Sequence, residues 1–436
     1  MTLVVGLTMA AIMVIVLILG MPICIAITMS AVIAGSIALD PEMMLQTASQ
    51  RTFTGISIFT LIAIPFFILA GNIMNKGGIA LRLMNFASLL VGKLPGSYAQ
   101  TNSLANMMFG AISGSGVAAA SAMGTIIGPI ANKEGYSRKY MAAINVATAP
   151  TGLLIPPSNV LITYSLVSGG TSVAALFLAG YIPGLMWGIG CMLVALIYAK
   201  RLGYKGSSVK ISFNNALDII LKALPSLFLI VVVIGGIITG AFTATEGAIV
   251  AVVYSLLLSV FYKQISWKEL YPIYKESAEM TGIIIFLVGV SSIMSWVISF
   301  VDIPSAVGNL LTNISENKII ILLIINVFLL FVGTFLDTTP AILIFTPIFL
   351  PVAHSCGLSS VEFGIVLVFN LCIGTITPPV GNILFVGVKV ANTSIESLIK
   401  PLIPYFFVIF FVLMVCTYFP GVSSFLPELF GYKATI

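Results

Sequence analysis

Gly152-Leu-Leu-Ile-Pro-Pro157 and Gly374-Thr-Ile-Thr-Pro-Pro379 each set a proline pair inside an apolar segment long enough to cross a bilayer, and the two lie 222 residues apart. A proline contributes no N–H and its ring collides with the carbonyl four residues earlier, so each segment stops being helical at the pair. Carbonyls freed in this way find no water in hydrocarbon and are tolerated only where they line a cavity enclosed by protein. Two broken helices at matching places in two halves of a chain point to the solute site of a secondary transporter.

The rest of the sequence has the composition such a site requires. Of 436 residues, 59% are apolar and 8% charged, and the mean hydropathy is +1.16, against roughly a quarter charged residues in soluble domains. This is a polytopic membrane protein. Apolar runs of about 20 residues suffice for a hydrocarbon core of about 30 Å. They predict spans over 3–39 (one long or two short, divided at Gly20-Met21-Pro22), 53–75, 86–108, 140–168, 172–199, 218–240, 244–262, 281–301, 360–388 and 396–419. The N-terminus lacks the basic leader of a cleavable signal and is expected to remain as a span. Cysteines 24, 191, 356, 372 and 416 show no C-x-x-C spacing and are expected to be packing residues rather than a metal or disulfide framework.

The net charge of +5 comes from connections, with Lys200, Arg201, Lys205, Lys210 and Lys222 before one hairpin of spans and Lys263, Lys268 and Lys275 after it. The positive-inside rule sets both groups on the cytoplasmic face and the turn near 241–245 outside. Basic residues beside spans, without interleaved aromatic platforms, argue against a nucleic-acid partner.

Residues 115–172 align with 337–394 without a gap. The identities include Pro129/Pro351, Gly135/Gly357, Ser137/Ser359, Gly152/Gly374, Thr171/Thr393 and both proline pairs. Chance matches in an apolar chain would favour Leu, Ile and Val, whereas these are residues that turn or stop a chain. The expected organisation is two structural repeats joined by a polar linker around 200–217, inverted as is common in transporters, with a site between them at the midplane.

A second irregular element precedes each broken helix: Gly110-Ala-Ile-Ser-Gly-Ser-Gly116 and Gly333-Thr-Phe-Leu-Asp-Thr-Thr-Pro340. The flanking halves, 97–112 with 117–131 and 319–335 with 340–353, read as helical hairpins that enter the membrane and turn back. Glycine permits the tight turn, hydroxyls cap the returning half-helix, and its N-terminal amides carry partial positive charge. Small oxygen-bearing side chains and free carbonyls at two tips and two breaks make a hard-cation site suited to Na⁺. Asp337 is the carboxylate at a tip. It would ligate a cation, carry a proton or cap the following half-helix. Glu246 reads as an interfacial or capping residue, and His354, past Pro351, as a solvated or capping one. The four arginines, Arg51, Arg82, Arg138 and Arg201, fall at span ends, so an acidic solute would be met by cations, half-helix N-termini and neutral donors: Ser115, Asn159, Thr338 and Asn382.

Ile64-Pro-Phe-Phe-Ile-Leu-Ala-Gly71, Ser113-Gly-Ser-Gly116, Gly135-Tyr-Ser-Arg138, Pro156-Pro157 and Gly374-x-x-x-Pro-Pro-x-Gly381 together resemble the large permease subunit of TRAP (tripartite ATP-independent periplasmic) transporters over nearly the whole chain. The resemblance implies a multi-pass protein of the bacterial inner membrane, surrounded by lipid, with a scaffold and an elevator-type transport domain. It implies Na⁺-driven import of an acidic solute, a small four-helix membrane subunit, and a periplasmic solute-binding protein that delivers the solute. Sialic acid or another sugar acid is the expected solute, with a C4-dicarboxylate fitting equally. The tips become Ser113–Gly116 and Gly333–Thr339. Na⁺ ligands would come from Ser113, Gly114, Ser115, Thr148, Thr151, Gly152, Gly333, Asp337, Thr338, Gly374, Thr375 and Thr377, at two or more sites.

The fold expected is thus all-α and polytopic, two inverted repeats each with a re-entrant hairpin and a broken helix. Residues 1–95 are assigned to scaffold spans, 96–171 to the transport elements of repeat 1, 172–300 to connecting and scaffold spans, 301–392 to the transport elements of repeat 2, and 393–436 to a C-terminal span. An ion channel with re-entrant selectivity loops is the alternative. An ATP-driven pump is disfavoured by the lack of a G-x-x-x-x-G-K-[ST] loop, and an enzyme by the lack of a nucleophile beside a base.

Overall fold

A computed structural model describes residues 1–206 and 212–432; part of the expected linker, including Lys210, lies outside the described residues. The described chain is helical, with helices long and apolar enough to cross a membrane recurring from Phe59 to Tyr418. The apolar run 3–39 is two short helices, α1 (Thr2–Ile18) and α2 (Ile23–Ala38), because Gly20 turns at φ 76° and Pro22 is extended. Helix α3 (Pro41–Ile56) was not anticipated; its sequence is too polar to read as a span, and Arg51 lies over the Trp296 ring. A 3-10 turn at Phe59–Ile62 leads into α4 (Ala63–Lys76).

The span expected over 86–108 is divided between α5 (Ile79–Val91) and α6 (Ser97–Ser113), since Gly92 ends one helix and Gly96, at φ 74°, starts the next. Helices α6 and α7 (Gly116–Lys133) form the first hairpin, turning at Gly114 with φ 60°. The first broken helix follows as α8 (Arg138–Thr148), a single turn α9 (Thr151–Leu154) and α10 (Asn159–Val167). Long helices α11 (Val173–Leu202), α12 (Phe213–Ile238), α13 (Ala244–Phe261) and α14 (Trp267–Phe300) come next. Helix α14 starts well before the span expected at 281–301, where Ser266 and Glu269 cap each other reciprocally.

Helix α15 (Ile303–Ile314) meets α16 (Lys318–Gly333) at 119°, and α16 with α17 (Thr338–Ser355) makes the second hairpin. The second broken helix is α18 (Ser360–Gly374) and α19 (Asn382–Ala391), followed by α20 (Ile395–Tyr418) and a short α21 (Gly421–Leu429). Both proline pairs, Pro156-Pro157 and Pro378-Pro379, have cis peptide bonds.

The two hairpins and the two broken helices make matching contacts. Helix α10 packs on α17, and α19 packs on α7, so the returning arm of each hairpin meets the second segment of the other half's broken helix. Helices α11 and α20, which follow the two breaks, pack on each other. Aromatic side chains join the halves: the Trp187 and Phe369 rings stand 4.7 Å apart, and Tyr164 Oη donates to the Ser360 carbonyl (2.6 Å), while Trp187 Nε1 donates within its own half to the Ala147 carbonyl (2.7 Å). Glu246 and Thr243 form a capping box at the start of α13, which accounts for that carboxylate. His354 Nε2 lies 3.0 Å from the Ser360 hydroxyl. Cys191, Cys372 and Cys416 are buried; Cys24 and Cys356 are half-buried.

Candidate solute and cation site

Glycines bring the tips onto the breaks. A Cβ on Gly110 would lie 2.5 Å from the Gly152 Cα, and one on Gly333 would lie 3.4 Å from the Gly374 Cα. Backbone packs on backbone at both places, so no side chain separates the first arm of either hairpin from its broken helix. Helix α4 also meets the first tip, where a Cβ on Gly71 would come 2.8 Å from the Ser113 carbonyl. That close approach leaves no room for a side chain at Gly71, the last residue of the Ile64–Gly71 stretch.

At the first tip, Ser115 caps α7 by accepting from the Ala118 amide (3.2 Å), and the Ser113 hydroxyl reaches the Ser115 carbonyl (3.4 Å). Thr148 and Thr151 are buried and satisfied. The Thr148 hydroxyl donates to Ile144 (2.7 Å) and accepts from Asn106 Nδ2 (2.9 Å), and the Thr151 hydroxyl donates to the Thr148 carbonyl (2.6 Å). Asn106, absent from the sequence-based set, is the hub of this corner: its Nδ2 also lies 3.0 Å from Asn102 Oδ1 and 3.1 Å from Asn145 Oδ1. The spacing of Asn102, Asn106 and Asn145 carries no motif. Asn102 and Asn106 sit one helical turn apart on α6, and the packing of α6 on α8 brings Asn145 to them.

Asn159 opens α10 beside the first tip, where a Cβ on Gly114 would lie 3.4 Å from its Nδ2; its own Oδ1 is buried without a partner among the described residues. The carbonyls of Ile155, Pro156 and Pro157 accept no hydrogen bond among the described residues, and neither do those of Pro378, Pro379 and Val380.

The second tip is organised around Asp337, at the position equivalent to Ser115. Asp337 Oδ1 accepts from the Thr338 amide (2.9 Å), capping α17, and from Asn382 Nδ2 (2.8 Å). Its second oxygen bonds no group among the described residues, and the side chain is exposed at the chain's surface. Thr375 and Thr377 turn their hydroxyls onto Cys372 and Ile373 carbonyls (2.7 Å each), while the Thr375 carbonyl accepts from the Ile383 and Leu384 amides (3.1 and 3.3 Å).

Ser113, Gly114, Ser115, Thr148, Thr151, Gly152 and Asn159 are thus gathered at one corner, and Gly333, Asp337, Thr338, Gly374, Thr375, Thr377 and Asn382 at another. The corners adjoin through Gly116, which packs against Ile383. They are not alike. Pro156 and Pro157 are buried, whereas Pro379 and Asp337 are exposed, so the carboxylate side is the open one. Unpaired carbonyls, hydroxyls and a carboxylate oxygen make an oxygen donor set of the kind a hard cation takes, not a soft metal.

Comparison with known proteins agrees with this architecture. The family model described as tripartite ATP-independent periplasmic transporter, DctM component, matches residues 10–422. The Salmonella typhimurium protein YgiK is 53% identical over 417 residues, 96% of each chain. The sialic acid TRAP transporter large permease protein SiaM of Vibrio cholerae is 36% identical, covering 88% of this chain and 90% of its own length. The C4-dicarboxylate TRAP transporter large permease protein DctM of Pseudomonas aeruginosa is 37% identical, covering 86% and 87%. Among solved structures, the Alcanivorax borkumensis YdaH transporter shares the fold with a TM-score of 0.66 at 13% identity, over 89% of this chain and 90% of that one.

Proposed function

The chain belongs to the DctM family of tripartite ATP-independent periplasmic transporters, and from that premise we propose that it carries an acidic organic solute inward, driven by Na⁺. As a large permease it is a multi-pass inner-membrane protein that works with a small membrane subunit and a periplasmic binding protein. The observation that carries the coupling proposal is the pairing of each unwound break with a re-entrant tip through Gly110/Gly152 and Gly333/Gly374. The tips hold small oxygen donors next to carbonyls that have no helical partner, so Na⁺ bound there supplies the positive charge that a carboxylate solute needs. Ser115, Asn159, Thr338 and Asn382 supply neutral donors to the solute. Relatives named for sialic acid and for C4-dicarboxylates stand at nearly equal identity, so a carboxylate is the proposed class, with a sugar acid as its first instance.

Proteoliposomes holding this chain, its small subunit and a loaded binding protein are expected to accumulate solute only when a Na⁺ gradient points inward. Omitting the binding protein should abolish uptake. Conduction that persists without it would favour a channel.

The motion proposed is an elevator, in which the hairpins and broken helices, with residues 96–171 and 301–392, move against the remaining spans. A disulfide engineered between α4 and α13, which pack closely within the scaffold, is expected to leave uptake within about twofold of the parent. One engineered between α14 and α17 should arrest it and be relieved by reductant. Equal uptake from both would rule the elevator out.

A further inference from the structure

A cavity of about 530 Å³ opens between α7, α8 and α19, away from the hairpin tips. Lys133 and Arg138 line it, no Asp or Glu does, and neither cation forms an ion pair among the described residues. Unpaired positive charge beside a concave, carboxylate-free wall attracts anions. Two amides sharpen that preference. Asn102 lines the cavity and is 1% exposed; its Oδ1 accepts from Asn106 (3.0 Å), but its Nδ2 donates to nothing among the described residues. Asn132 Oδ1, on the same wall, is buried without a partner. An unpartnered amide donor at the cavity wall and a buried acceptor without a partner on the same wall suit a ligand with both an oxyanion and a hydroxyl.

The cavity's position follows from the turn beside it. Tyr136 Oη donates to the Lys205 carbonyl (3.2 Å), and the Ser137 amide donates to Tyr204 Oη (2.9 Å), which fixes the turn between α7 and α8 to the chain leaving α11. Lys200 and Arg201 end α11, and the positive-inside rule puts that end in the cytoplasm. We propose that the cavity lined by Lys133, Arg138, Asn102 and Asn132 is a second, cytoplasm-facing anion site that receives a small hydroxylated carboxylate after it leaves the tips. The import reading supplies only the direction of travel; the site itself stands on the cavity and its open polar groups. Gly128 faces this space, since nothing lies within 4 Å of a Cβ built there.

The test is the full chain with Gly128→Cys, in a Cys24→Ser/Cys356→Ser background, embedded in phosphatidylcholine nanodiscs. A sulfonate-bearing methanethiosulfonate reagent is expected to modify the thiol about tenfold faster than its trimethylammonium counterpart, within the range that focused charge gives to rates. Adding Lys133→Gln and Arg138→Gln should erase that ratio. Millimolar gluconate should slow modification, succinate less, and chloride at equal ionic strength not at all. Val390→Cys, on the same wall, serves if the first variant fails to fold. A ratio indifferent to the two cations overturns the proposal. So does protection given equally by chloride, or by phosphatidylglycerol in place of gluconate, the latter marking a lipid headgroup site. Gluconate protection in a protein that shows no Na⁺-driven uptake would sink the import reading and leave the anion site standing; uptake without protection would do the reverse.

Discussion

Gly152→Ala is expected to destabilise the protein by about 3 kcal/mol and to abolish uptake. Overpacking ordinarily costs about 1–3 kcal/mol where neighbours can shift. Here the new methyl meets the backbone of Gly110, which can move only by displacing the whole first arm of the hairpin. The sign of the effect is informative, because Gly→Ala inside a helix otherwise gains up to about 1 kcal/mol from propensity. Gly128→Ala supplies the contrast: nothing lies within 4 Å of its Cβ, so it should be neutral or mildly stabilising. Thermal unfolding in detergent, read beside uptake in proteoliposomes, checks both. Gly374→Ala should behave like Gly152→Ala, since its Cβ would run into the Gly333 backbone. If either protein melts at the parental temperature and transports, tip and break are not locked as described.

Asp337→Asn is expected to lower Na⁺-dependent uptake about hundredfold, equivalent to about 2.8 kcal/mol at 1.4 kcal/mol per tenfold, with little change in melting temperature. Asparagine caps helices about as well as aspartate, so the bond to the Thr338 amide and the approach of Asn382 both survive. What disappears is the charge on the oxygen that no protein group engages. Asp337→Ala should lose the cap as well, adding about 1 kcal/mol of destabilisation. Uptake and its Na⁺ dependence, measured across a range of Na⁺ concentrations, decide the matter. An Asp337→Asn protein with unchanged Na⁺ dependence would reduce the residue to a helix cap.

Much of the irregular backbone was legible because its causes are local. Pro156-Pro157 and Pro378-Pro379 stop helices through bonded geometry, and the Gly-Ser and Asp-Thr-Thr turns fall at hairpin tips where the chain reverses. The halves expected at 97–112 and 117–131 match α6 and α7 to within two residues. Reading went astray where apolarity alone was the guide. The break at Gly92–Gly96 lay within a run read as one span, and α3, α15 and α21 are too short or too polar for a span-length search. Asn106 escaped because two of its partners, Asn145 and Thr148, lie 39 and 42 residues away, and only tertiary packing makes them neighbours.

Composition and punctuation determined by themselves that this chain lives in a membrane, that the Gly and Pro-Pro pattern recurs 222 residues on, and where its helices break. Those follow from the cost of exposing peptide groups to hydrocarbon and from what proline and glycine do to their own backbone. Which break meets which tip, that one corner is sealed and the other open at Asp337, and that a basic cavity lies behind α7 were decided by the tertiary structure. These depend on contacts between residues far apart in sequence, such as Gly110 with Gly152, Asp337 with Asn382 and α19 with α7.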